Sequence, residues 1–473
     1  MKTIIIIGGG ITGLAIAHGL EQRGIPFLLL EASPRWGGKI RTIREDGLVI
    51  EAGPDAFGTH LPQALRLSRE LGLGERLVAP AARANRVSVW DRGRLRPVPE
   101  GMMAMAPAGV GAILRSNLIS WPGKLRMGWE YFIPPKLGTQ DESLGEFVRR
   151  RLGREAAERI AAPLLAGIHA ADPEQLSLLA SFPRFREMEL AHGGLVRAWR
   201  AQRAQRRSDS SKPFLLAPLG GMQELVDGLV ARLPPERCRL NTRVSAMEPA
   251  AEGWRLILND GREPGETLAA DHVVCAAPAY AAAALVAGFD PGLAGELREI
   301  HYTSLISVVL AYREHDTPRG VRGRSFMVNP AARCRIRACT WMSEKFPQRA
   351  PEGVALLRVA LRPPPNPEAP DGELIEAARG DLASLLDIQA APIHASVIRL
   401  PQAIPFLRVG HPARVEHIEQ RLRAHAGLHL AGAAYHGAGV PQCLASAGRV
   451  LDAMVGVVPS HVPSHRAHAG RPS

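Results

Sequence analysis

The chain has 473 residues, 46% of them hydrophobic and 22% charged. At about 150 residues per domain this is enough chain for two or three domains with substantial cores, and the composition excludes a disordered polymer, a fibre and a polytopic membrane protein. The formal net charge of +12 leaves three kinds of partner to consider: nucleic acid, an anionic membrane surface or an acidic substrate. Lys occurs at only six positions, so 52 of the 58 basic residues are Arg, a bias that makes any single Arg a weak signal.

The cysteines Cys238, Cys275, Cys334, Cys339 and Cys443 are scattered without a CxxC pair, which argues against a disulfide framework and against a zinc site, and no metal is expected. No small-residue cleavage site follows the apolar N-terminal stretch, so the expected location is cytoplasmic. The uncharged run Val273 to Phe289 is shorter than the ~20 residues that span a bilayer, and Pro278 divides it, so no transmembrane helix is expected.

In chain order, Thr3 to Ile7 reads as a buried strand, Gly8, Gly10 and Gly13 follow, and Ile11 to Arg23 reads as a helix. Phe27 to Leu30 is a second strand ending at Glu31, which completes a βαβ unit. Leu48 to Glu51 is a short strand running into Gly53-Pro54, and Leu61 to Leu71 an amphipathic helix closed by Gly72. Arg86 to Trp90 and Arg94 to Val98 flank the hairpin signal Asp91-Arg92-Gly93. From Pro99 to about Gly194 the pattern is helical, with Pro breaks at 107, 122, 134 and 135. Arg197 to Lys212, with Arg200, Arg203, Arg206, Arg207 and a Ser-Asp-Ser-Ser run, reads as an exposed loop. A helix then opens after Gly220-Gly221-Met222, Val244 sits in a strand, and His272 to Ala276 is a buried strand. A strand-rich block is expected from about Leu305 to Leu407, with candidates at Ile306 to Tyr312, Ala338 to Met342 and Val354 to Leu361, then a strand at Leu428 to Ala431 before a Gly-rich turn and a helix to about Val455. The Pro-, His- and Ser-rich stretch to Ser473 reads as a flexible tail.

Gly8-Gly9-Gly10-Ile11-Thr12-Gly13 satisfies G-x-G-x-x-G. The first Gly allows a tight turn, the second lets the backbone approach a pyrophosphate, the third lets helix and strand pack closely, and the phosphate sits on the helix N-terminus. The motif follows an apolar strand and opens a helix, and Glu31 stands at the end of the next strand, where a carboxylate can hold ribose hydroxyls. Glu31-Ala32-Ser33-Pro34-Arg35-Trp36-Gly37-Gly38-Lys39-Ile40-Arg41-Thr42 continues into a second glycine turn. This resembles the FAD-binding signature of the flavin amine oxidase superfamily, and favours FAD over a nicotinamide cofactor. In Leu428 to Cys443, glycines let backbone approach an isoalloxazine ring and the following helix points its positive end toward it.

Gly53-Pro54-Asp55-Ala56-Phe57, Asn85-Arg86, Leu165-Ala166-Gly167-Ile168-His169-Ala170-Ala171-Asp172-Pro173 with Leu176-Ser177, and the Ala431 to Cys443 block resemble the oxygen-dependent protoporphyrinogen oxidase family from residue 1 to about 456. The resemblance implies a mixed α/β fold: a Rossmann-like FAD-binding domain (1–85, 213–300 and 415–458), a mixed-sheet substrate domain (86–98 and 301–414) and a helical membrane-associating insertion (99–196), with the exposed loop 197–212 and the tail 459–473. It implies non-covalent FAD held by Gly8, Gly9, Gly10, Ile11, Thr12, Gly13, Glu31, Ala32, Lys39, Gly53, Pro54, Asp55, Ala56, Val244, Ala433, Ala438, Gly439 and Val440. It implies a propionate contact at Arg86, backbone contact with the macrocycle at Gly167 and an apolar wall at Met327. A bidentate guanidinium also fits a carboxylate on its own chemistry.

The activity implied is six-electron oxidation of protoporphyrinogen IX in three flavin cycles, with oxygen as acceptor and hydrogen peroxide as product. Coproporphyrinogen III is the alternative substrate; an amine oxidase and a non-catalytic FAD-fold binding protein are the other readings. The scarcity of Lys and the lack of a second aromatic beside Tyr435 speak against an amine oxidase. Three features depart from the family pattern: Asp55 stands where a neutral residue is common, His436 and Gln442 where an acidic pair is common, and Arg362-Pro363-Pro364 where a Gly-Gly turn is common. His169, His301 and His436 are candidate bases by chemistry alone, and the catalytic base is left unassigned. Gly101 to Pro107 and Leu118 to Pro122, with Arg115, Lys124 and Arg126 nearby, read equally as peripheral membrane contact or as internal packing. A homodimer is left open. The dispersed basic residues and the lack of a recognition motif remove nucleic acid from the three partners.

Overall fold

A computed structural model describes residues 3–81, 87–99, 110–169, 172–206, 213–259, 265–318, 325–363, 366 and 368–455. A five-stranded parallel sheet holds the first strand at its centre, in the order Cys238–Arg239, Phe27–Leu30, Ile4–Ile7, His272–Cys275, Leu428–Leu430. Four consecutive isoleucines suit this position, because a parallel strand covered on both faces needs no polar side. Ile4 and Ile6 join one core and Ile5 and Ile7 the other, as the alternation of a strand requires. Three of these strands come from opposite ends of the chain, so the sheet is completed only when residue 430 returns to residue 275.

A seven-stranded mixed sheet runs His394–Pro405, Tyr302–Arg313, Val354–Leu361, Ile336–Trp341, Phe326–Val328, Ser88–Asp91, Arg94–Pro97. Its pairs are antiparallel except Phe326–Val328 with Ser88–Asp91. One face packs on the helix Asp371–Leu386 and the other, through Val89, Met327 and Ala338, on the helical segment. The hairpin expected at Asp91-Arg92-Gly93 forms, with Arg92 and Gly93 both at positive φ (50° and 74°). His394–Pro405 lies in the expected strand-rich block but is not among its candidate strands: Pro401 interrupts it and Gln402 takes φ 44°, both tolerable on an edge strand.

The helical segment is organised around a buried ion pair. Arg151 and Glu130 are both fully buried, and Arg151 Nε donates to Glu130 Oε1 at 2.8 Å. Arg151 Nη1 also donates to the carbonyl of Ile133 at 2.9 Å. The Glu130 carboxylate accepts the backbone N–H groups of Leu195 (2.8 Å) and Val196 (3.1 Å), two of the groups a helix start leaves unpaired. That helix, Leu195–Arg206, corrects the expectation of an exposed loop at 197–212 over its first ten residues. Leu195 and Ala198 are buried, and the guanidiniums of Arg197 and Arg200 lie over the Tyr131 ring at 4.6 and 5.5 Å, so the arginines pack instead of dispersing. Residues 207–212 and the tail 459–473 lie outside the described residues. No helix among the described residues is long and apolar enough to cross a membrane.

Candidate active site

The carboxyl ends of the parallel strands are where an open α/β sheet presents its ligand crevice, and Gly8 follows directly from Ile7. Gly8 takes φ +108° and donates its N–H to the Leu30 carbonyl at 2.8 Å. A Cβ on Gly13 would collide with the Gly8 carbonyl oxygen, whereas a Cβ on Gly10 would meet no atom within 4 Å. The loop is therefore crowded on its sheet side and open at Gly10, the cradle that a pyrophosphate needs. Ile11 and Thr12 are buried at the start of the helix Ile11–Glu21, whose N-terminal end faces this opening.

Glu31 and the second glycine turn complete the cradle. The Glu31 carboxylate accepts from Gly9 N at 2.6 Å and from Ser33 N at 2.8 Å. Gly37 (φ +103°) donates to the Gly9 carbonyl at 2.8 Å, and a Cβ on Gly38 would lie 3.2 Å from Gly10 Cα. The two turns thus lie backbone on backbone. Arg35 fixes the second turn by donating to the carbonyls of Trp36 (3.3 Å), Gly38 (2.5 Å) and Ile40 (3.1 Å). Ala32 and Lys39 are exposed, and Lys39 Nζ donates to the Pro401 carbonyl at 3.2 Å. Thr242 N donates to the Glu31 carbonyl at 2.9 Å, which sets Val244, two residues on, next to this end of the sheet.

Gly53 to Ala56 join the two sheets. A Cβ on Gly53 would strike the Lys39 carbonyl. From the seven-stranded sheet, Arg358 donates to the carbonyls of Gly53 (2.9 Å) and Ala52 (3.3 Å), and from the short helix Met342–Lys345 that follows the strand Ile336–Trp341, Lys345 Nζ lies 2.8 Å from Asp55 Oδ2. Burial works against the Asp55 carboxylate, but Lys345 and Arg358 outweigh it and hold its pKa below the ordinary value. The departure at Asp55 is thus an internal ion pair tying this loop to Lys345.

At the C-terminal side, Gly432 (φ +120°) donates to Ser446 Oγ at 3.0 Å, and Ala433, Ala438 and Gly439 lead into the helix Val440–Val455. Ala438 and Gly439 are exposed while Val440 is buried. Cys443, in the first turn, is buried against Thr12, and burial pushes its thiol up to about 11, which suits packing between the two helix starts.

On the sheet face toward the helical segment, Gly167 in the helix Ala162–His169 packs directly on Met327: a Cβ on Gly167 would strike Met327 Cγ and lie 3.3 Å from its Cβ and Sδ. These two predicted substrate positions are brought together. Arg86, the predicted propionate contact, lies outside the described residues, as do the side chain of His169 and the segment Gly101 to Pro107. His301 bonds locally through Nδ1 to the Glu299 carbonyl at 2.8 Å, and His436 Nε2 pairs with Glu419 at 3.3 Å. Sequence reasoning missed Arg35, Lys345 and Arg358, because in an Arg-rich chain only the carbonyl or carboxylate each one meets distinguishes it.

The parallel sheet, the paired glycine turns with Glu31 and the helix start behind Gly439 define a FAD-dependent oxidoreductase. The chain matches the flavin containing amine oxidoreductase family over residues 11–454 and belongs to it. It is a flavin oxidoreductase of the protoporphyrinogen/coproporphyrinogen oxidase type. It is 33% identical to the coproporphyrinogen III oxidase of Bacillus subtilis (strain 168), over 94% of this chain and 96% of that one. It is 28% identical to the chloroplastic protoporphyrinogen oxidase of Nicotiana tabacum, over 96% and 85%. A crystal structure from Exiguobacterium sp. 255-15, described as a candidate protoporphyrinogen oxidase, superposes with a TM-score of 0.83 at 30% identity, covering 97% of this chain and 99% of that one.

Two outcomes are expected. Gly13→Val forces the helix off the strand end, so the purified variant should lose most of its flavin, read as an absorbance ratio at 450 to 280 nm lower by about tenfold; a fully yellow variant would contradict the packing. Lys345→Met should destabilise the protein by about 1–3 kcal/mol at pH 7. Because the folded Asp55 pKa is depressed, the pair stabilises above the unfolded value near about 3.9 and is lost as pH falls through the lower folded value. The difference in denaturant midpoint between wild type and variant should therefore be smaller at pH 3 than at pH 7; equal differences would exclude the pair as its source.

Proposed function

We propose that this chain oxidises coproporphyrinogen III to coproporphyrin III, with three molecules of oxygen accepting six electrons and leaving as three of hydrogen peroxide. The observation that carries the porphyrinogen reading is the pairing of Gly167 with Met327 on the sheet face that Arg358 ties to the Gly53 to Ala56 loop. It sets an apolar wall next to the loops that fit FAD. Bound FAD supplies the two-electron chemistry. In this reading the turns Gly8 to Gly13 and Gly37-Gly38 hold the pyrophosphate, Glu31 the ribose, and the backbone from Ala438 to Val440 stands at the ring. Gly167 lets Met327 pack onto the helix backbone, and Met327 forms the apolar surface that the macrocycle lies against and that excludes water from its face.

The preference for coproporphyrinogen III rests on the relative of that name being 33% identical, against 28% for the one named protoporphyrinogen oxidase. Protoporphyrinogen IX, the substrate favoured from sequence, is the second reading, supported by the description of the superposed crystal structure. Purified holoenzyme assayed aerobically by porphyrin fluorescence should turn over the four-carboxylate substrate with the higher kcat/KM. Faster turnover of protoporphyrinogen IX would reverse the choice, and peroxide from polyamines with neither porphyrinogen consumed would remove it.

The helical segment supports a peripheral contact with the cytoplasmic membrane face. Trp121 and Leu125 are 65% and 75% exposed one helical turn apart, with Trp129 and Phe132 exposed farther along. Lys124 Nζ lies 4.4 Å from the Trp121 ring, an apolar stripe with a cation beside it. Trp121→Glu with Leu125→Glu should abolish co-flotation with liposomes containing anionic lipid while leaving flavin content unchanged; undiminished flotation would sink this part of the proposal.

A further inference from the structure

The face of the seven-stranded sheet that carries Met327 also carries a cation that no carboxylate among the described residues pairs with. Between the strands Ile336–Trp341 and Val354–Leu361 the register runs Ile336 to Leu361, then Ala338 to Ala360, so Arg337 is an extra residue in a β-bulge. Ile336, Cys339 and Trp341 are buried on the side of the helix Asp371–Leu386, whereas Ala338 packs with Met327 and Ala360 beneath the helical segment. Arg358, Ala360 and Arg362 share that second face by the alternation of a strand, and Arg358 and Arg362 are the charges that bear on Arg337. The bulge therefore sets Arg337 beside Ala338, between these two arginines.

The two neighbours have hydrogen-bond partners, whereas among the described residues none is found for Arg337 Nε. Arg358 donates to the Gly53 and Ala52 carbonyls, and Arg362 to those of Pro330 (2.9 Å) and Asn329 (3.1 Å). Arg337 is only 9% exposed, its Nε meets no acceptor, and among the described residues no carboxylate pairs with it. Burial, and then the two like charges, lower its pKa to about 10, so it remains a guanidinium at neutral pH. A desolvated, unpaired charge beside two like charges is destabilising in the free protein, and an anion would relieve it. The pyrophosphate is not that anion, since its cradle lies on the other sheet at Gly8 to Gly13. What remains beside the Gly167 and Met327 wall is an acidic group on the substrate.

We infer that Arg337 is a second carboxylate-binding residue, which takes a propionate of the porphyrinogen. The inference rests on the porphyrinogen reading above and narrows it. A planar guanidinium at the rim of an apolar wall can hold a carboxylate with two hydrogen bonds while the ring lies against Met327.

The test is steady-state kinetics of FAD-loaded wild type, Arg337→Leu and Arg337→Lys on coproporphyrinogen III, its tetramethyl ester and protoporphyrinogen IX. Arg337→Leu should raise KM for coproporphyrinogen III by about 10- to 100-fold, the weight of a charged hydrogen bond. Flavin content should not change and kcat should stay within about threefold. Arg337→Lys, which keeps the charge but not the two-pronged contact, should recover part of the loss, and the ester, which has no carboxylates, should show no difference among the three proteins. An unchanged KM for coproporphyrinogen III, or an equal rise for the ester, overturns the inference and leaves the porphyrinogen reading standing. Loss of flavin in both variants would make Arg337 structural and also overturn it. A wild type that consumes neither porphyrinogen overturns the reading itself, and this inference with it.

Discussion

The carbonyl oxygen of Gly8 occupies the space that a side chain at position 13 would need, and most of the site follows from that contact. It lets the helix Ile11–Glu21 begin directly over the end of the central strand, so its free N–H groups face the opening at Gly10. It also leaves room for Gly37 and Gly38 to lie on the first turn and for Cys443 to pack against Thr12. Further along the helix, a Cβ on Gly19 would run into Leu451, so the C-terminal helix too is held at backbone distance. Glycine in these positions loses more conformational entropy on folding than other residues do, and no larger residue leaves space for the closest of these contacts.

The arginine excess has a physical use of the same local kind. Arg35 stitches one loop to itself, Arg358 joins the two sheets through the Ala52 and Gly53 carbonyls, and Arg151 connects Glu130 to the carbonyls of Ile133 and Pro134. Loop carbonyls are left over wherever the chain departs from helix and sheet, and a guanidinium with five donors can satisfy two or three at once. Against this pattern Arg337 stands out because it is buried and its Nε meets no acceptor among the described residues. Much of the +12 charge that first suggested an anionic partner is thus internal cross-linking, and one residue of it points to a ligand.

The candidate bases look different once their neighbours are seen. His301 is bonded to its own turn and His436 faces Glu419, where burial and Arg449 lower its pKa. Both have local structural partners. In the reaction proposed above, with a flavin as acceptor, the chain needs mainly to exclude water and orient an acidic macrocycle, the part proposed for Met327 and Arg337.

The local elements of the dinucleotide half were legible in the sequence: a run of isoleucines, glycines at fixed spacing and a carboxylate at the next strand end each act over a few residues, where steric rules apply without tertiary help. The strands Phe27–Leu30, Leu48–Glu51 and Val354–Leu361 lie where their patterns put them. The helix Leu195–Arg206 was not legible, since its polar composition suits a loop until Glu130 caps it and Tyr131 receives its arginines. Nor was the edge strand with Pro401, which depends on having one free side. In the site, the glycines could be named from sequence because their role is the absence of a side chain. Lys345, Arg358 and Arg337 could not, because a cation's role is set by what lies within hydrogen-bond reach: residues 52, 53 and 55 meet Arg358 and Lys345 only when the two halves of the chain are assembled, and Arg337 meets Arg358 only when their strands pair. Sequence alone determined that this chain binds a dinucleotide of the FAD kind; the tertiary structure decided which of its many arginines hold the protein together and left Arg337 buried without a carboxylate among the described residues, because a cation's partners are set by contacts between segments far apart in the chain.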